Sequence, residues 1–334
     1  MELPTSVFVT GSTGLLGINT VELLLAKGYQ VGALARDPEK AARVLPVSDR
    51  LEIIVGDLEN PDAWLPSISK FQVIIHTAAY FREYFGRGDH AVKLKALNVD
   101  LPVRLTKFAM SKGVERVIIV SSTGAISPPN PEHAATEDDP AEGQVPHNGY
   151  QQSKVMMEKA LSKLTVPTGQ LVMVRPGWMF GPNDHAPTNA AQLVLDMRGK
   201  RKFQFMDGPP FGIVDARDVA AGLVALVSHP NPKLVYNLAG NNLSPLAAIQ
   251  TLAAVEGKTK IQAVPLGVAK VLSRTLEVFT RPLGKRNPLP YEGIEVLSTN
   301  FKVDSSRAEK ELGVHFRPFE DTARDTVAFV NQAF

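Results

Sequence analysis

Tyr150 and Lys154 are the residues whose types and spacing point most directly to chemistry. The pattern of residues 149–164 predicts a helix, on which positions four apart share one face. A free tyrosine has a pKa of about 10, which is too high for efficient proton transfer at neutral pH. A neighbouring ammonium favours the phenolate and lowers that pKa, so we expect the pair to act in acid–base catalysis.

Such a site also needs a hydrogen-bond donor that holds the substrate oxygen near the tyrosine. The fifth predicted strand, residues 116–120, is followed by Ser121, Ser122 and Thr123. We expect one of these hydroxyls to fill that role. The competing interpretation is that they cap a turn or a helix.

A glycine-rich loop lies near the N-terminus, between a predicted strand at residues 6–10 and a predicted helix at residues 14–27. Glycines in this context let the backbone approach a pyrophosphate, whose charge is stabilised at the helix N-terminus. The competing interpretation is a tight turn with close helix–strand packing. The loop residues that we predict to bind a dinucleotide are Gly11, Thr13, Gly14, Leu15, Leu16 and Gly17.

The end of the second predicted strand, residues 30–35, bears on the type of dinucleotide. Arg36 follows this strand, where its guanidinium could bind the 2′-phosphate of NADP. Asp37 could instead accept hydrogen bonds from the ribose hydroxyls of NAD. We favour NADP, with NAD as the alternative.

Two further strand ends are expected to line the cofactor site. Asp57 and Leu58 follow the third predicted strand, residues 51–55, where the aspartate could accept a hydrogen bond from the adenine amino group or cap a turn. Thr77, Ala78 and Ala79 follow the fourth, residues 72–75, and their small side chains leave room for the cofactor.

The order of elements predicts the fold class. Strands that are apolar on both faces alternate with helices as far as a sixth strand at residues 171–175, which indicates a parallel α/β sheet covered on both sides. Residues 214–228 and 234–238 resemble a return to the sheet. We therefore assign residues 1–175 and 214–240 to a dinucleotide-binding domain. Residues 176–213 and 241–334 would form a smaller, mainly helical substrate-binding lobe.

Composition limits the classes of partner and site. The 334 residues carry a net charge of +2, with 44% hydrophobic and 21% charged residues, so nothing favours nucleic acid or an anionic membrane as a partner. The absence of cysteine excludes disulfides, thiol catalysis and cysteine-ligated metal, and we expect no metal site. We see neither a secretory signal nor an apolar run of membrane-spanning length, and we expect a cytoplasmic protein that acts on a small molecule.

Together these motifs resemble the extended short-chain dehydrogenase/reductase family, also called the NAD-dependent epimerase/dehydratase family. The resemblance implies a Rossmann-type doubly wound sheet and a Ser/Thr-Tyr-Lys catalytic triad. Family spacing points to Thr123, which precedes Gly124, with Ser122 as the second choice. Family members commonly dimerise through two long helices, here residues 90–112 and 149–164. The resemblance also places at the cofactor Asn98, Pro176, Gly177 and Met179, in addition to Tyr150 and Lys154. For Asn98 it leaves two interpretations open, support of the lysine through water or a purely structural role.

The resemblance leaves several reactions open. Dehydratases of the family carry acidic residues after the catalytic hydroxyl, whereas Gly124 and Ala125 follow Thr123 here. The asparagine that nucleotide-sugar enzymes often carry after the sixth strand is also absent, although Arg201, Arg281 and Arg286 could still bind a diphosphate.

Aromatic residues that would line the pocket suit an apolar or aromatic substrate. Those that we expect at the substrate are Tyr80, Phe81, Trp178 and Phe211, with Tyr84 and Phe85 nearby. We therefore predict an NADP-dependent carbonyl reductase or alcohol dehydrogenase similar to dihydroflavonol reductases. The alternatives are a nucleotide-sugar epimerase and a non-catalytic NADP(H) sensor.

Overall fold

The structure is a computed structural model. It describes residues 5–81, 90–127, 130, 132–143, 148–257, 259–283, 291–298 and 301–334. Within these ranges twelve strands form three sheets. The strands are β1 Ser6–Thr10, β2 Gln30–Ala35, β3 Leu51–Val55, β4 Val73–His76, β5 Arg116–Val120, β6 Leu171–Pro176, β7 Trp178–Phe180, β8 Lys202–Met206, β9 Phe211–Asp215, β10 Val235–Leu238, β11 Asn241–Leu243 and β12 Lys260–Val264.

The central sheet has seven parallel strands in the order β10-β6-β5-β4-β1-β2-β3. Successive side chains of each strand point to opposite layers. In β1, Val7 and Val9 enter the core on one face of the sheet. Phe8 enters the core on the other face, where its ring lies 6.0 Å from that of Trp64. A sheet buried on both faces explains its uninterrupted apolar strands, and it confirms the predicted Rossmann-type α/β class.

Helices cover both faces of this sheet and build most of the C-terminal region. They are α1 Leu15–Ala26, α2 Pro38–Val44, α3 Ala91–Lys95, α4 Leu101–Ser111, α5 Gly149–Leu161, α6 Asn189–Met197, α7 Ala216–Ser228, α8 Pro245–Glu256, α9 Leu266–Leu283, α10 Tyr291–Ser298, α11 Ser306–Leu312 and α12 Phe319–Ala333. No helix of the described ranges is long and apolar enough to cross a membrane.

Several boundaries differ from the sequence-based expectations. The helix predicted for residues 90–112 is divided, because a π-helical turn at Ala96–Asp100 separates α3 from α4. Residues 214–228 belong mostly to α7, and only residues 234–238 return to the central sheet, as β10. The helix of residues 149–164 ends earlier, at Leu161.

The second core lies among α6, α8 and α12, next to the small sheet β11-β9-β7. Phe180 of β7 and Phe319 of α12 are fully buried there, in an edge-to-face contact of 5.3 Å. Strand β7 follows β6 after a single residue, Gly177, so the chain passes directly from the central sheet into the small sheet. Helix α11, in contrast, packs on β10 and α7. The division of the chain into two domains remains a prediction.

Candidate active site

The glycine loop is shaped by close backbone contacts. Gly11 has a φ of +68°, and a Cβ atom built there would lie 2.7 Å from Thr77 Oγ1 and 2.8 Å from the nitrogen of Ala78. A Cβ atom on Gly17 would lie 2.0 Å from the carbonyl oxygen of Gly11. Only glycine fits at either position, so the loop presents a bare backbone cradle of the kind that could hold a pyrophosphate.

The start of α1 completes this cradle. Gly14 is the N-cap residue, and no side chain caps the exposed N–H groups of the first turn, which also contains no acidic residue. Such a helix N-terminus attracts an anion. Thr13 and Gly14 are half-buried at this point, whereas Leu15 and Leu16 are buried in the core. The first two residues could therefore contact a cofactor, and the leucine side chains anchor the helix.

The small residues after β4 lie next to the cradle. The hydroxyl of Thr77 donates to the carbonyl oxygen of Thr10 at 2.8 Å, which ties the end of β4 to the end of β1. Ala78 is buried against Gly11, and Ala79 is half-buried beside it. The structure thus brings these residues to the loop, as the sequence predicts.

The cofactor-selecting residues have different partners. Asp37 caps α2 by accepting a hydrogen bond from the Lys40 nitrogen at 2.9 Å, and this bond is the main reason that its pKa is lowered. Arg36 is exposed, with its Nη1 atom 3.9 Å from Asp57 Oδ2. The capping bond makes Asp37 a weaker candidate for the ribose hydroxyls and leaves Arg36 as the group that could bind a phosphate.

The two predicted residues after β3, Asp57 and Leu58, have partly structural roles. Asp57 Oδ1 accepts a hydrogen bond from the Glu59 nitrogen at 2.9 Å, so the carboxylate stabilises a turn. Its other oxygen faces Arg36. Leu58 packs against the core beneath the sheet. The turn-capping interpretation of Asp57 is thus correct, and its second carboxylate oxygen lies 3.9 Å from Arg36 Nη1.

Tyr150 and Lys154 lie on α5, whose N-cap residue Asn148 accepts a hydrogen bond from the Gln151 nitrogen. The Lys154 side chain is buried and donates to the carbonyl oxygen of Val120 at 2.8 Å. Its Nζ atom lies 5.8 Å from the centre of the Tyr150 ring. The sheet and the helix therefore bring the two predicted groups together beside the end of β5.

The hydroxyls after β5 are distinguished by their partners. Ser122 accepts a hydrogen bond from the Gly124 nitrogen at 3.1 Å and so caps the 3₁₀ turn Thr123–Ala125. Within the described residues the Thr123 hydroxyl has no hydrogen-bond partner, although the residue is half-buried. Ser121 turns away and donates to Glu158. Thr123 is thus the hydroxyl most available to a substrate oxygen.

Burial dominates the protonation of the pair. It raises the pKa of Tyr150 above its usual range, and it lowers the pKa of Lys154 to about 8, against the opposing effect of Glu158. The expected lowering of the tyrosine pKa is therefore wrong for this arrangement. The reason is that burial desolvates the phenol, which disfavours the charged phenolate.

Asn98 lies in the π-helical turn before α4, and its side-chain amide is fully occupied. Its oxygen accepts from the Tyr80 nitrogen at 2.7 Å, while its nitrogen donates to the Tyr80 carbonyl and to Ser153 Oγ at 3.0 Å each. Both amide hydrogens are used in holding the segment after β4 against α5. This arrangement favours the structural interpretation of Asn98 over contact with a cofactor.

The aromatic residues predicted at the substrate make separate contacts, and Trp178 and Phe211 also pack against the core among α6, α8 and α12. Phe81 contacts the Tyr150 ring edge-on, with 4.7 Å between the ring centres. Trp178 stacks on Phe211 at 5.8 Å. Tyr80 is directed elsewhere, because its hydroxyl bonds His90 Nδ1 at 2.7 Å and it packs against the core under the sheet. The predictions for Tyr84, Phe85 and Arg286 fall outside the described residues.

The predicted residues after Arg175 lie where the chain passes from β6 into β7. Pro176 is buried as the last residue of β6, and Gly177, Trp178 and Met179 are half-buried where the chain crosses into β7. Met179 also packs against the core of the central sheet. These residues lie beyond the carboxyl end of the sheet, where open α/β folds bind ligands.

Three buried polar residues at the site were not predicted. His76 ends β4 and bonds Thr10 Oγ1 through Nδ1 at 2.7 Å, and burial together with Lys154 lowers its pKa to about 3. Glu158 and Arg175 form a buried ion pair behind Lys154. The spacing of Glu158, four residues after Lys154, was a usable signal. Arg175 at the end of an apolar strand was another.

The model of the NAD dependent epimerase/dehydratase family matches residues 7–239. A dihydroflavonol 4-reductase-like protein of Synechocystis sp. is 26% identical, with 96% of this chain and 93% of the relative covered. Sterol demethylase protein B of Methylococcus capsulatus is 28% identical, at 92% and 93% coverage. UDP-glucose 4-epimerase of Vibrio cholerae is 26% identical, at 93% and 91%. The relatives thus include both reductases and an epimerase.

Solved structures share the whole fold. The crystal structure of gox2253 has a TM-score of 0.78 and 25% identity, with 98% of each chain covered. Gre2 of Candida albicans, in complex with NADPH, has a TM-score of 0.75 and 21% identity, with 99% of each chain covered. These likenesses agree with the central sheet and the added lobe described above.

Proposed function

The chain belongs to the NAD dependent epimerase/dehydratase family, and we propose that within it the protein is an NADP-dependent carbonyl reductase or alcohol dehydrogenase. Its substrate would be a small apolar or aromatic carbonyl compound or the corresponding alcohol. The family and the relatives support an NAD(P)-dependent oxidoreductase. The choice of reaction rests on the site.

The observation that carries this choice is the set of aromatic side chains beyond the carboxyl end of the central sheet. Phe81 lies against the tyrosine ring, and the Trp178–Phe211 stack lies where the chain leaves the sixth strand. Trp178 falls where nucleotide-sugar enzymes of the family often carry an asparagine. Stacked rings favour an apolar or aromatic substrate over a sugar with many hydroxyl groups.

Each catalytic residue has a separate task in this proposal. When bound, the dinucleotide supplies or accepts the hydride. Tyr150 donates its phenolic proton to the substrate oxygen as negative charge develops there. Thr123 donates a hydrogen bond to the same oxygen, and Lys154 stabilises the phenolate that forms and orients the nicotinamide ribose. Ser122 caps the turn that holds Thr123 in place.

The cofactor preference follows from the second strand. Arg36 is exposed at the end of β2 and free to turn towards a 2′-phosphate, since its present contact with Asp57 is long and solvent-exposed. Asp37 is held at the start of α2. We therefore propose NADP as the cofactor, with NAD as the weaker ligand.

The test is to supply a panel of apolar and aromatic ketones and aldehydes with NADPH and to follow its absorbance. The proposal predicts one NADPH oxidised for each alcohol formed. Isomerisation of a UDP-sugar without net oxidation of cofactor would identify an epimerase. Tight NADPH binding without turnover of either substrate class would instead support the sensor.

A further inference from the structure

A buried polar cluster lies one helical turn beyond Lys154. Arg175 donates two hydrogen bonds to the Glu158 carboxylate, from Nη2 to Oε2 at 2.6 Å and from Nε to Oε1 at 3.0 Å. Ser121 Oγ donates to the same carboxylate at 2.5 Å. The two charged side chains are only 2% and 4% exposed. Because burying an ion pair costs much of what its attraction returns, stability alone is a weak explanation for this cluster.

The cluster is joined to the catalytic lysine by the helix and by the strand. Lys154 and Glu158 are four residues apart on α5 and share one face. Lys154 bonds the carbonyl of Val120, and the next residue, Ser121, bonds Glu158. Both side chains are therefore attached to the end of β5, directly before the turn that holds Thr123.

We propose that Glu158 is a positioning residue for the Tyr150–Lys154 pair. Its carboxylate, oriented by Arg175 and Ser121, sets the electrostatic potential at the ammonium and fixes the end of β5. The proposal rests on the proposed function only in that Lys154 contacts the bound dinucleotide.

The surroundings of Lys154 make its charge sensitive to this carboxylate. Among the described residues, the titratable groups that face it are Tyr150 and Glu158 on its own helix and His76 on β4, with Arg175 on β6 behind Glu158. Burial lowers the pKa of Lys154 to about 8, and Glu158 raises it. His76 is neutral at that pH, since its pKa is about 3.

Removing the charge of Glu158 and removing the charge of Arg175 should therefore shift the pKa values of the catalytic pair in opposite directions. Glu158→Gln removes negative charge near the pair, so both apparent pKa values of Tyr150 and Lys154 should fall. Arg175→Gln leaves the carboxylate uncompensated, so both should rise. A cluster that served only to hold the fold would weaken the site in the same way in both variants, because each leaves one buried group without its partner.

The measurement is the affinity for NADPH or NADH between pH 6 and pH 10, read by cofactor fluorescence without any substrate. In the wild type, binding should weaken as Lys154 loses its proton. The midpoint is the pH at which half of the cofactor affinity is lost. It should move down by roughly one pH unit in Glu158→Gln and up by a similar amount in Arg175→Gln. The matched control is Asp218→Asn, which breaks the Arg317 ion pair between α7 and the segment before α12. It should leave the midpoint unchanged.

Midpoints that stay fixed, or that move in the same direction in both variants, would overturn the proposal. If one of the two variants does not fold, the direction in which the midpoint shifts in the other variant tests the proposal. If neither does, Ser121→Ala removes one donor from the carboxylate, and the midpoint should rise by a few tenths of a pH unit. A wild-type protein that binds neither dinucleotide would contradict the proposed function itself, whereas binding with unshifted midpoints would contradict only the role of Glu158.

Discussion

At the scale of single residues, the site depends on polar groups that are buried beside the catalytic pair. Lys154, His76, Glu158 and Arg175 are all less than about a tenth exposed. Each has a specific partner, and each partner comes from a different strand or helix. Burial by the fold therefore lowers the pKa values of His76 and Lys154 from their ordinary solution values.

Arg36→Ala tests the cofactor preference. We expect the affinity for NADPH to fall by about ten-fold to a hundred-fold, since a charge-assisted contact to phosphate contributes about 1.5–3 kcal/mol, while the affinity for NADH changes little. Fluorescence titration of both cofactors measures this. Arg43→Ala, on the exposed face of α2, is the control. Equal losses for both cofactors would mean that Arg36 does not bind the 2′-phosphate.

His76 should make the protein sensitive to acid. Its pKa is about 3 in the folded protein and 6.5 for a free group, so in this pH window the unfolded chain binds a proton that the folded protein does not. Stability should then fall as pH falls, by about 2 kcal/mol between pH 6.5 and pH 5.

Urea unfolding at a series of pH values measures this dependence. His76→Gln should flatten the slope over that interval, and His315→Gln, at an exposed histidine, should keep it. An unchanged slope in His76→Gln would show that other groups control the acid sensitivity.

The sequence could reveal the residues whose types and local spacing carry a signal. The glycine loop, the Tyr150–Lys154 pair and the small residues after β4 were all found in this way. The Glu158–Arg175 pair and the Thr10–His76 bond could not be found so directly, because each joins residues that only the folded sheet brings together. The redirection of Tyr80 towards His90 is likewise decided by packing and not by local pattern.

At the scale of elements, strands that are buried on both faces were predicted well. Strands β1, β4, β5 and β6 are buried along most of their length, whereas the edge strand β3 has only Ile54 buried and was found from its β-branched residues. The short strands β7, β8, β9, β11 and β12 are only three to five residues long, and several are half-exposed. Their pairing depends on distant partners such as β12 with β8, so no local periodicity indicated them.

Gly17→Ala tests the loop–helix junction. The added methyl group would meet the Gly11 carbonyl oxygen at 2.0 Å, so the loop must shift away from the geometry that accepts a pyrophosphate. We expect NADPH affinity to fall at least about ten-fold, which corresponds to about 1.4 kcal/mol. Gly267→Ala is the control, because nothing lies within 4 Å of its added Cβ. Normal affinity in Gly17→Ala would contradict the assignment of this loop.

At the scale of the whole molecule, the site lies where the central sheet meets the second lobe. The glycine loop, the end of β5 and helix α5 belong to the central sheet and the helices that cover it. Strands β7 and β9 carry the stacked rings of Trp178 and Phe211. Ion pairs link the layers outside the site, as where Arg217 bonds both Asp215 and Asp325. We infer that the central sheet positions the reactive groups and that the C-terminal region sets the choice of substrate.

We propose that the molecule forms a homodimer through α4 and α5. Met156 of α5 is 47% exposed. A groove between α4 and α5 is lined by Val103, Phe108 and Ala160 together with the charged residues Asp100, Arg104 and Lys107. Light scattering after size-exclusion chromatography should give twice the chain mass of 36.2 kDa. Met156→Glu should shift the protein towards monomer. Met110 is half-buried on α4, so Met110→Glu is the control for general destabilisation. A wild-type monomer at high concentration would contradict the proposal.

The central claim is that Tyr150 is the proton donor of a reductase. Its most direct test is the steady-state rate of NADPH oxidation by Tyr150→Phe with a ketone that the wild type reduces, together with the NADPH affinity of both proteins. The account predicts that kcat falls by about a hundred-fold to ten-thousand-fold while NADPH affinity stays within a few-fold of the wild type. A variant that retained the wild-type kcat would contradict the account.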